Sequence, residues 1–251
     1  IVRSLALRRK TGKWVVLVRN ARPLYTIAQG KRRMSNQQME PLVGLGVKIT
    51  DEIKNKFKWD AFWDAPLDVP GTGNGNSTNP PPDLPRSESE LFRGAVSYHV
   101  ESCSAKTDGA RLEVSFPGVT LGSFQGKLQF TVYRGTNLVR QEIVASTTAD
   151  SVAYKYDTGW DGLGVEAGTR LAWRDLSGSW QENKLGSAAN SRDVVLKTSN
   201  RLLMLQRGET GSIAAFPPPH TFFWAREEET NLGYNFYRKT GDAEDRKSTR
   251  L

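Results

Sequence analysis

The chain has 251 residues, of which 37% are hydrophobic, and its mean hydropathy is −0.53. This length allows one large domain or two smaller ones with a substantial core. No apolar run approaches the roughly 18 residues that a transmembrane helix needs, so we expect no membrane span. Two histidines and one cysteine, without metal-ligand spacing, give no reason to expect a metal or a cofactor. We expect the single cysteine, Cys103, to be a small buried hydrophobe in a strand.

The net charge of +8 is concentrated at the N-terminus, because residues 1–33 contain ten lysines and arginines and no acidic residue. Such a block binds nucleic acid or another anionic surface, or it is a solvated segment left from a larger chain. We favour the second interpretation, since aromatic stacking residues are almost absent from the block. The chain begins with Ile1 and shows no signal peptide, so we expect a fragment or a processed product.

Residues 1–69 are predicted to form a short helical, basic N-terminal extension that packs on the domain that follows. The run at 13–19 is rich in β-forming residues and predicts a strand. Residues 30–48 mix polar residues with glycine, and we expect a loop there. Two acids follow Thr50, which predicts a short helix with Thr50 as its N-cap.

Aromatic and acidic residues alternate just before the clearest boundary in the chain. Trp59 and Trp63 lie among aspartates, a composition typical of a sugar-binding site or, alternatively, of an aromatic plug at one end of a sheet. Residues 70–85 are dominated by Gly, Pro, Asn, Ser and Thr, which predicts a linker or a long loop. We therefore expect a β domain over 86–240 and a disordered, charged tail over 241–251.

Strand signals are dense beyond this boundary. Leu112, Val114 and Phe116 alternate with polar residues, which is the period-two pattern of a half-buried strand. Short turns with glycine separate such runs, so the chain is predicted to be mainly β, with an antiparallel meander inside an antiparallel β-sandwich. The predicted strands are 93–101, 109–116, 127–134, 137–146, 151–156, 168–174, 192–197, 200–206, 211–216, 221–224 and 232–238.

Two further aromatic and acidic clusters fall within the predicted sandwich. The first is the sequence YKYDTGWDG, which contains Tyr156, Trp160 and Asp161, and the second is WRD, which begins with Trp173. A sheet face of this composition is a candidate carbohydrate platform, because aromatic rings stack on sugar faces and carboxylates accept hydrogen bonds from hydroxyls. The same composition also covers the surface of many β-sandwiches, and both interpretations stay open.

The segment 214–239 combines prolines, aromatic residues and adjacent acids. Three prolines stiffen the backbone before an aromatic run, and an arginine and three glutamates follow. Adjacent acids can supply a general acid and a general base, or they form a solvated acidic turn. The candidate catalytic residues are His220, Glu227, Glu228 and Glu229. The candidate ligand-binding residues of this segment are Trp224 and Arg226.

The run LEVSFPGVTLGSFQGKLQFTVYRGTNLVRQEIVASTTADSVAYKYDTGWDGL resembles the large antiparallel β-sandwich of galactose mutarotase-like domains. The resemblance covers roughly residues 93–238. It implies a domain of the kind that accompanies glycoside hydrolases and polysaccharide lyases. The family's catalytic His and Glu have no counterpart in matching strand contexts, and His220 with one of the three glutamates is the only pair available.

The leading hypothesis is a glycan-binding β-sandwich module of an exported bacterial protein, periplasmic or extracellular, with a poly- or oligosaccharide as its partner. The first alternative is a glycoside-processing enzyme domain that uses His220 and the glutamates at 227–229. The second is nucleic-acid binding through the basic block at residues 1–33, which we favour least.

Overall fold

The computed structural model describes residues 2–31, 36–57, 91–166, 168–185, 193–217, 235–239 and 249–250. Within these ranges the chain is mainly β, and every strand pair with a defined register is antiparallel. The strands are β1 (Val2–Arg8), β2 (Trp14–Lys31), β3 (Phe92–Ala95), β4 (Ser97–Tyr98), β5 (Ser104–Thr107), β6 (Arg111–Leu121), β7 (Phe124–Tyr133), β8 (Val139–Ser146), β9 (Val152–Asp161), β10 (Thr169–Arg174), β11 (Trp180–Lys184), β12 (Val194–Leu196), β13 (Leu203–Arg207), β14 (Gly211–Ala215), β15 (Asn235–Lys239) and β16 (Thr249–Arg250). The helices are α1 (Asn36–Gly44), α2 (Asp51–Phe57) and a single 3-10 turn at Ser199–Arg201. None of these helices has the length and apolar character to cross a membrane.

The described strands form four sheets. The first has the order β1-β2-β3, with β9 also paired to β2, and the second has the order β11-β10-β13-β14. The third has the order β12-β15-β16, and the fourth has the order β4-β6-β7-β8, with β5 also paired to β6. The chain divides into a terminal unit, residues 1–24 with 158–251, and a central unit, Tyr25–Asp157.

The central unit contains the meander that the alternating sequence predicts. Strands β6 and β7 pair from Arg111 opposite Tyr133 to a tight turn at Leu121 and Phe124, and β8 continues the sheet. Apolar residues of β6 and β7 share one face and pack on β2, and full burial of each such side chain contributes about 1.5–3 kcal/mol. The buried members of this core are Tyr25, Ile27, Val119, Leu121 and Leu128.

A glycine bulge interrupts the pairing of β6 with β7, which resumes at Val119. Gly118 has φ of +86°, and a Cβ there would lie 2.0 Å from the carbonyl oxygen of His99. No other residue fits this close backbone approach without a shift. The His99 N–H donates to the Gly118 carbonyl at 2.7 Å, directly after the pairing of β4 with Val119 and Thr120.

The polar residues of the meander lie on its other face and bond one another across strands. Ser115 donates to Gln129 Oε1 at 3.1 Å, and Gln129 Nε2 donates to Glu142 Oε1 at 3.3 Å. Lys127 Nζ donates to Ser115 Oγ at 3.3 Å. This face is therefore satisfied by its own side chains, which is the condition for burying polar groups without penalty.

The terminal unit has its own core under the β11-β10-β13-β14 sheet. Leu171 on β10 lies opposite Leu205 on β13, and both are fully buried. Side chains that are directly opposite in a sheet share a face, so these two pack together toward the core. The buried cluster consists of Val18, Ala21, Leu163, Leu171, Leu196, Leu203, Leu205 and Tyr237.

A buried arginine ties three segments of the terminal unit together. Arg207 is 9% exposed and donates to the carbonyl oxygens of Leu17 and, at 2.8 Å, Gly164. Its guanidinium also lies 3.1 Å from Glu166 Oε1. The fork of N–H donors on arginine suits several acceptors at once, so one side chain satisfies backbone carbonyls that belong to no ladder.

The prediction of a mainly β, antiparallel chain is confirmed. The predicted strand 93–101 is broken into β3 and β4, because β3 pairs with β2 whereas β4 pairs with β6 and ends at Tyr98. Four strands, β1, β5, β11 and β16, were not predicted, and their sequences lack a run of β-branched or aromatic residues.

The N-terminal region differs from its predicted form in two respects. It contains a β1–β2 hairpin, in which β2 continues to Lys31, and it contains α1 where a loop was expected. The predicted N-cap is confirmed, since the Ile53 N–H lies 3.3 Å from Thr50 Oγ1. The expectation for Cys103 is wrong: its side chain is exposed, because residues 99–103 connect β4 to β5 and pair with no strand of the described chain.

Several predicted features lie outside the described residues. They are the linker at 70–85, the strand at 221–224 and most of the tail at 241–251. Of that tail the structure describes Thr249–Arg250, which pair with β15 as β16.

Candidate functional site

Much of the site that the sequence predicts lies outside the described residues. These residues are the candidate catalytic groups His220, Glu227, Glu228 and Glu229 and the candidate ligand-binding groups Trp59, Trp63, Trp224 and Arg226. The other predicted residues lie on two strands, with Tyr156, Trp160 and Asp161 on β9 and Trp173 on β10.

Tyr156 lies beside a second tyrosine on the same face of β9. Side chains two positions apart point to one side of a strand, about 6.6 Å apart along it. The rings of Tyr154 and Tyr156 have centroids 6.5 Å apart and an interplanar angle of 29°, and the two residues are 43% and 52% exposed. Phe124 presents an edge to Tyr154 with 4.9 Å between centroids. We call these three rings, Phe124, Tyr154 and Tyr156, the tyrosine ledge.

The opposite face of β9 explains why the tyrosines point outward. Lys155 and Asp157 lie on that face, and Thr26 Oγ1 lies 3.4 Å from Asp157 Oδ2. Burial lowers the pKa of Lys155, while the charge of Asp157 opposes this shift. The strand is therefore held by charged and hydrogen-bonded groups on one side, and its aromatic side is left for solvent.

Trp160 and Asp161 end β9 inside the terminal unit. Trp160 packs against the buried cluster of that unit, and Asp161 is half-buried. Gly162 follows with φ of +82°, and a Cβ there would lie 3.3 Å from the carbonyl oxygen of Asn20. The YKYDTGWDG sequence therefore has residues in both units. Its tyrosines are exposed, whereas its tryptophan packs on the core of the terminal unit.

Trp173 also packs on the core of the terminal unit. It lies on β10 opposite Leu203 and belongs to the partly buried residues around that cluster. Its neighbour Arg174 points to the other face of the sheet, because successive side chains of a strand point to opposite faces. The WRD cluster is therefore split between the two faces of one sheet.

An exposed tryptophan that the sequence did not single out lies next to this cluster. Trp180 is opposite Arg174 in the β10–β11 pair and is 57% exposed. The Arg174 guanidinium carbon lies 5.0 Å from the centroid of the indole ring, which is the geometry of a cation–π contact. The signal that could have found it is the Asp175–Ser179 turn sequence with Gly178, which directly precedes Trp180 and is typical of a hairpin.

The turn between β10 and β11 fixes the position of this tryptophan. Asp175 Oδ1 accepts hydrogen bonds from the backbone N–H groups of Ser177 and Ser179, both at 2.9 Å, and Oδ2 accepts one from Gln181 Nε2 at 2.8 Å. The side-chain bonds from Ser177 and Gln181 lower the pKa of Asp175 most. Gly178 closes the turn with φ of +83°. Asp175 therefore orders the turn with both of its oxygens.

The described residues include exposed aromatic and polar side chains. Among them no group of three or more His, Cys, Asp or Glu side chains is arranged to hold a metal ion. Comparisons with protein-family models, with curated proteins and with solved structures gave no significant match to this chain. The exposed aromatic side chains of the described residues include the tyrosine ledge, Trp180 and Trp14.

Proposed function

We propose that the chain is a carbohydrate-binding β-sandwich module of an exported bacterial protein, with a poly- or oligosaccharide as its ligand. The observation that carries the proposal is the tyrosine ledge, in which the exposed rings of Tyr154 and Tyr156 lie 6.5 Å apart on β9 at an interplanar angle of 29°. A sugar ring has one face of C–H groups, which packs on an aromatic ring, while its hydroxyls remain in water or bond to polar groups. The resemblance to galactose mutarotase-like domains points in the same direction.

The geometry of the ledge suits a chain of sugars. Tyr154 and Tyr156 follow each other along the strand, so successive rings can stack on successive residues of a ligand. Each phenol also presents a hydroxyl that donates and accepts hydrogen bonds at the edge of the stacked sugar. Phe124 supports Tyr154 from the side and limits the loss of side-chain freedom on binding.

The experiment is affinity electrophoresis of the whole chain in gels that contain neutral or acidic polysaccharides. We expect retardation by at least one neutral polysaccharide, and we expect the double variant Tyr154→Ser, Tyr156→Ser to weaken it about tenfold, which corresponds to about 1.4 kcal/mol. The matched control is Tyr154→Phe, Tyr156→Phe, which keeps both rings and should keep most of the binding.

A second control separates stacking from a general loss of apolar surface. Val139 is 47% exposed on β8, and Val139→Ser should leave the retardation unchanged. The proposal fails if the wild-type chain migrates alike in every polysaccharide gel, or if the serine pair binds as well as the wild type.

One observation favours the nucleic-acid alternative enough to test it. Trp14 is 64% exposed and lies opposite Arg8 at the tip of the basic β1–β2 hairpin. Exposed aromatic rings among cations are how single strands are bound without sequence preference. The Arg9 guanidinium donates to the carbonyl oxygens of Glu209 and Thr210 at 3.3 and 3.2 Å, so we do not count it among the phosphate-binding cations.

The test for this alternative is the salt dependence of binding to a single-stranded oligonucleotide, followed by tryptophan fluorescence. If the hairpin binds phosphates, the variant Lys10→Gln, Lys13→Gln should lower the slope of log affinity against log salt by up to about 2. Trp14→Ala should weaken binding at every salt concentration. Absence of wild-type binding at low salt removes nucleic acid from consideration.

A further inference from the structure

The face of the β11-β10-β13-β14 sheet that points away from the core carries a tryptophan beside cations. Residues directly opposite in neighbouring strands share a face, and the registers of β10 with β11 and β13 therefore define this surface. We call it the Trp180 face, and it contains Trp180, Arg174, Glu182, Arg170, Lys184 and Gln206.

The Trp180 face has an excess of positive charge. Its three cations and one acid give a net charge of two, counted over the six side chains just named. Arg170 and Glu182 neutralise each other through an ion pair of 3.0 Å. The excess therefore belongs to Arg174 and Lys184, which are exposed. Within the described chain the Arg174 side chain makes no hydrogen bond or ion pair. Its guanidinium instead makes a cation–π contact with the indole of Trp180.

We propose that the Trp180 face binds an acidic oligosaccharide built from uronate sugars. The free face of the Trp180 indole takes the C–H face of a sugar ring, and the Arg174 guanidinium binds the carboxylate of that sugar or of the next one. Guanidinium groups match carboxylates in two parallel hydrogen bonds, and the ring that supports Arg174 holds it in place for this contact. The inference rests on the proposed function, since it takes the ligand to be a saccharide.

The spacing on the sheet points to an oligosaccharide and not to a single sugar. Arg170 is four residues from Arg174 on β10, which corresponds to about 13 Å along the strand. Lys184 lies opposite Arg170, so the second free cation is at the far end of the face from Trp180. The middle row of the face consists of Glu182, Ala172, Met204 and Ala214, and Glu182 is held there in its ion pair with Arg170. A ligand that meets both cations must extend across this row.

The experiment is isothermal titration of the whole chain with oligogalacturonate and with its methyl-esterified form, which has the same backbone without the charge. We expect the acid to bind at least tenfold more tightly than the ester. Trp180→Ala and Arg174→Gln should each weaken binding of the acid about tenfold, and Trp180→Phe should retain most of it. Both changes are at exposed positions, and circular dichroism with the thermal midpoint checks that the variants remain folded.

The matched control is Arg3→Gln, which removes an exposed cation from β1. If general attraction between a basic chain and a polyanion explained the binding, Arg3→Gln would weaken it as much as Arg174→Gln, and the inference would be overturned. It is also overturned if Trp180→Ala leaves the affinity for oligogalacturonate unchanged, or if the variants lose binding to a single-stranded oligonucleotide while they keep binding to the uronate.

The same titrations separate this inference from the proposed function. A loss of neutral-glycan binding in the Tyr154, Tyr156 double variant, without any effect of Trp180→Ala on the acid, leaves the proposed function standing and rejects the Trp180 face. An effect of Trp180→Ala, without any effect of the tyrosine variant, supports the Trp180 face and rejects the tyrosine ledge. A wild-type chain that binds neither ligand rejects both.

Discussion

Two tryptophans on neighbouring strands of one sheet have opposite surroundings. Trp173 on β10 packs against Leu203 and the core of the terminal unit, whereas Trp180 on β11 is 57% exposed under the guanidinium of Arg174. In the β10–β11 register Trp173 is opposite Gln181, and Trp180 is opposite Arg174. On β10 a step of one residue, from Trp173 to Arg174, therefore exchanges a side chain that packs on the core for an exposed one.

Strand register, and not residue type, decides which of these two tryptophans is available to a ligand. Both tryptophans are followed by a polar or charged residue, but Trp173 follows Leu171 and Ala172 whereas Trp180 follows a Ser-Gly-Ser turn. Register decides the exposure of each ring, because successive side chains point to opposite faces and directly opposite residues share a face. Variants on the inner face should therefore lower the free energy of unfolding, whereas variants on the outer face should lower the affinity for a saccharide.

The largest expected effect is on the inner face. Trp173→Ala removes a ring from the edge of the core and should lower the free energy of unfolding by about 3 kcal/mol, at the low end for a tryptophan because the ring is only partly buried. Denaturant unfolding at equilibrium measures it. Among molecules that remain folded, saccharide affinity should be that of the wild type. A loss below about 0.5 kcal/mol would mean that Trp173 does not contribute to the core.

A smaller loss is expected for the charged residue of the same inner face. Arg207→Met keeps much of the buried volume but leaves the carbonyl oxygens of Leu17 and Gly164 without their donor, and should cost about 2 kcal/mol. Arg170→Met is the matched change on the outer face, where the ion pair with Glu182 is solvated, and it should cost less than about 1 kcal/mol. Equal losses in the two variants would contradict the distinction between the faces.

Trp180→Ala is the counterpart of the first variant on the outer face. More than half of this side chain is already in water, and the cation–π contact with Arg174 contributes about 0.5–1 kcal/mol. The free energy of unfolding should therefore fall by less than about 1 kcal/mol, measured in the same denaturant series. A loss as large as that of Trp173→Ala would show that Trp180 is a structural residue.

The sequence predicts the central meander well for a physical reason. Leu112, Val114 and Phe116 alternate with polar residues over a run long enough to fix both the strand and its face. The glycine turns between β6, β7 and β8 leave little freedom in the pairing. The same rule predicted a strand at 168–174, within one residue of the bounds of β10.

The candidate site was predicted less well, because exposure depends on pairing partners that are distant in the sequence. Trp160 and Trp173 pack on a core that is built from residues as far apart as Val18 and Tyr237. Trp180 was missed because β11 is short and every one of its residues is exposed, so no apolar alternation marks it. Tyr156 was found, since the alternation of tyrosines with Lys155 and Asp157 is local.

The smallest expected effect concerns the turn that positions Trp180. Hydrogen bonds from Ser177 and Gln181 hold the pKa of Asp175 below its ordinary value, so the folded state binds a proton less readily than the unfolded chain. The stability that this carboxylate contributes is therefore complete above the unfolded pKa of ~3.9 and is lost as the pH falls through the lower folded pKa. Asp175→Asn should therefore lower the stability at pH 7 by the contribution of this carboxylate, change it little in acid, and so flatten the decline of stability below about pH 4. Asp108 gives a matched case in the central unit, since hydrogen bonds from the backbone N–H groups of Arg111 and Ala110 lower its pKa. Asp108→Asn should therefore change the pH dependence of stability in the same direction. Only Asp175→Asn should also alter the fluorescence of Trp180, because Asp108 orders a different turn. Equal fluorescence changes in the two variants would show that the β10–β11 turn does not hold the tryptophan in place.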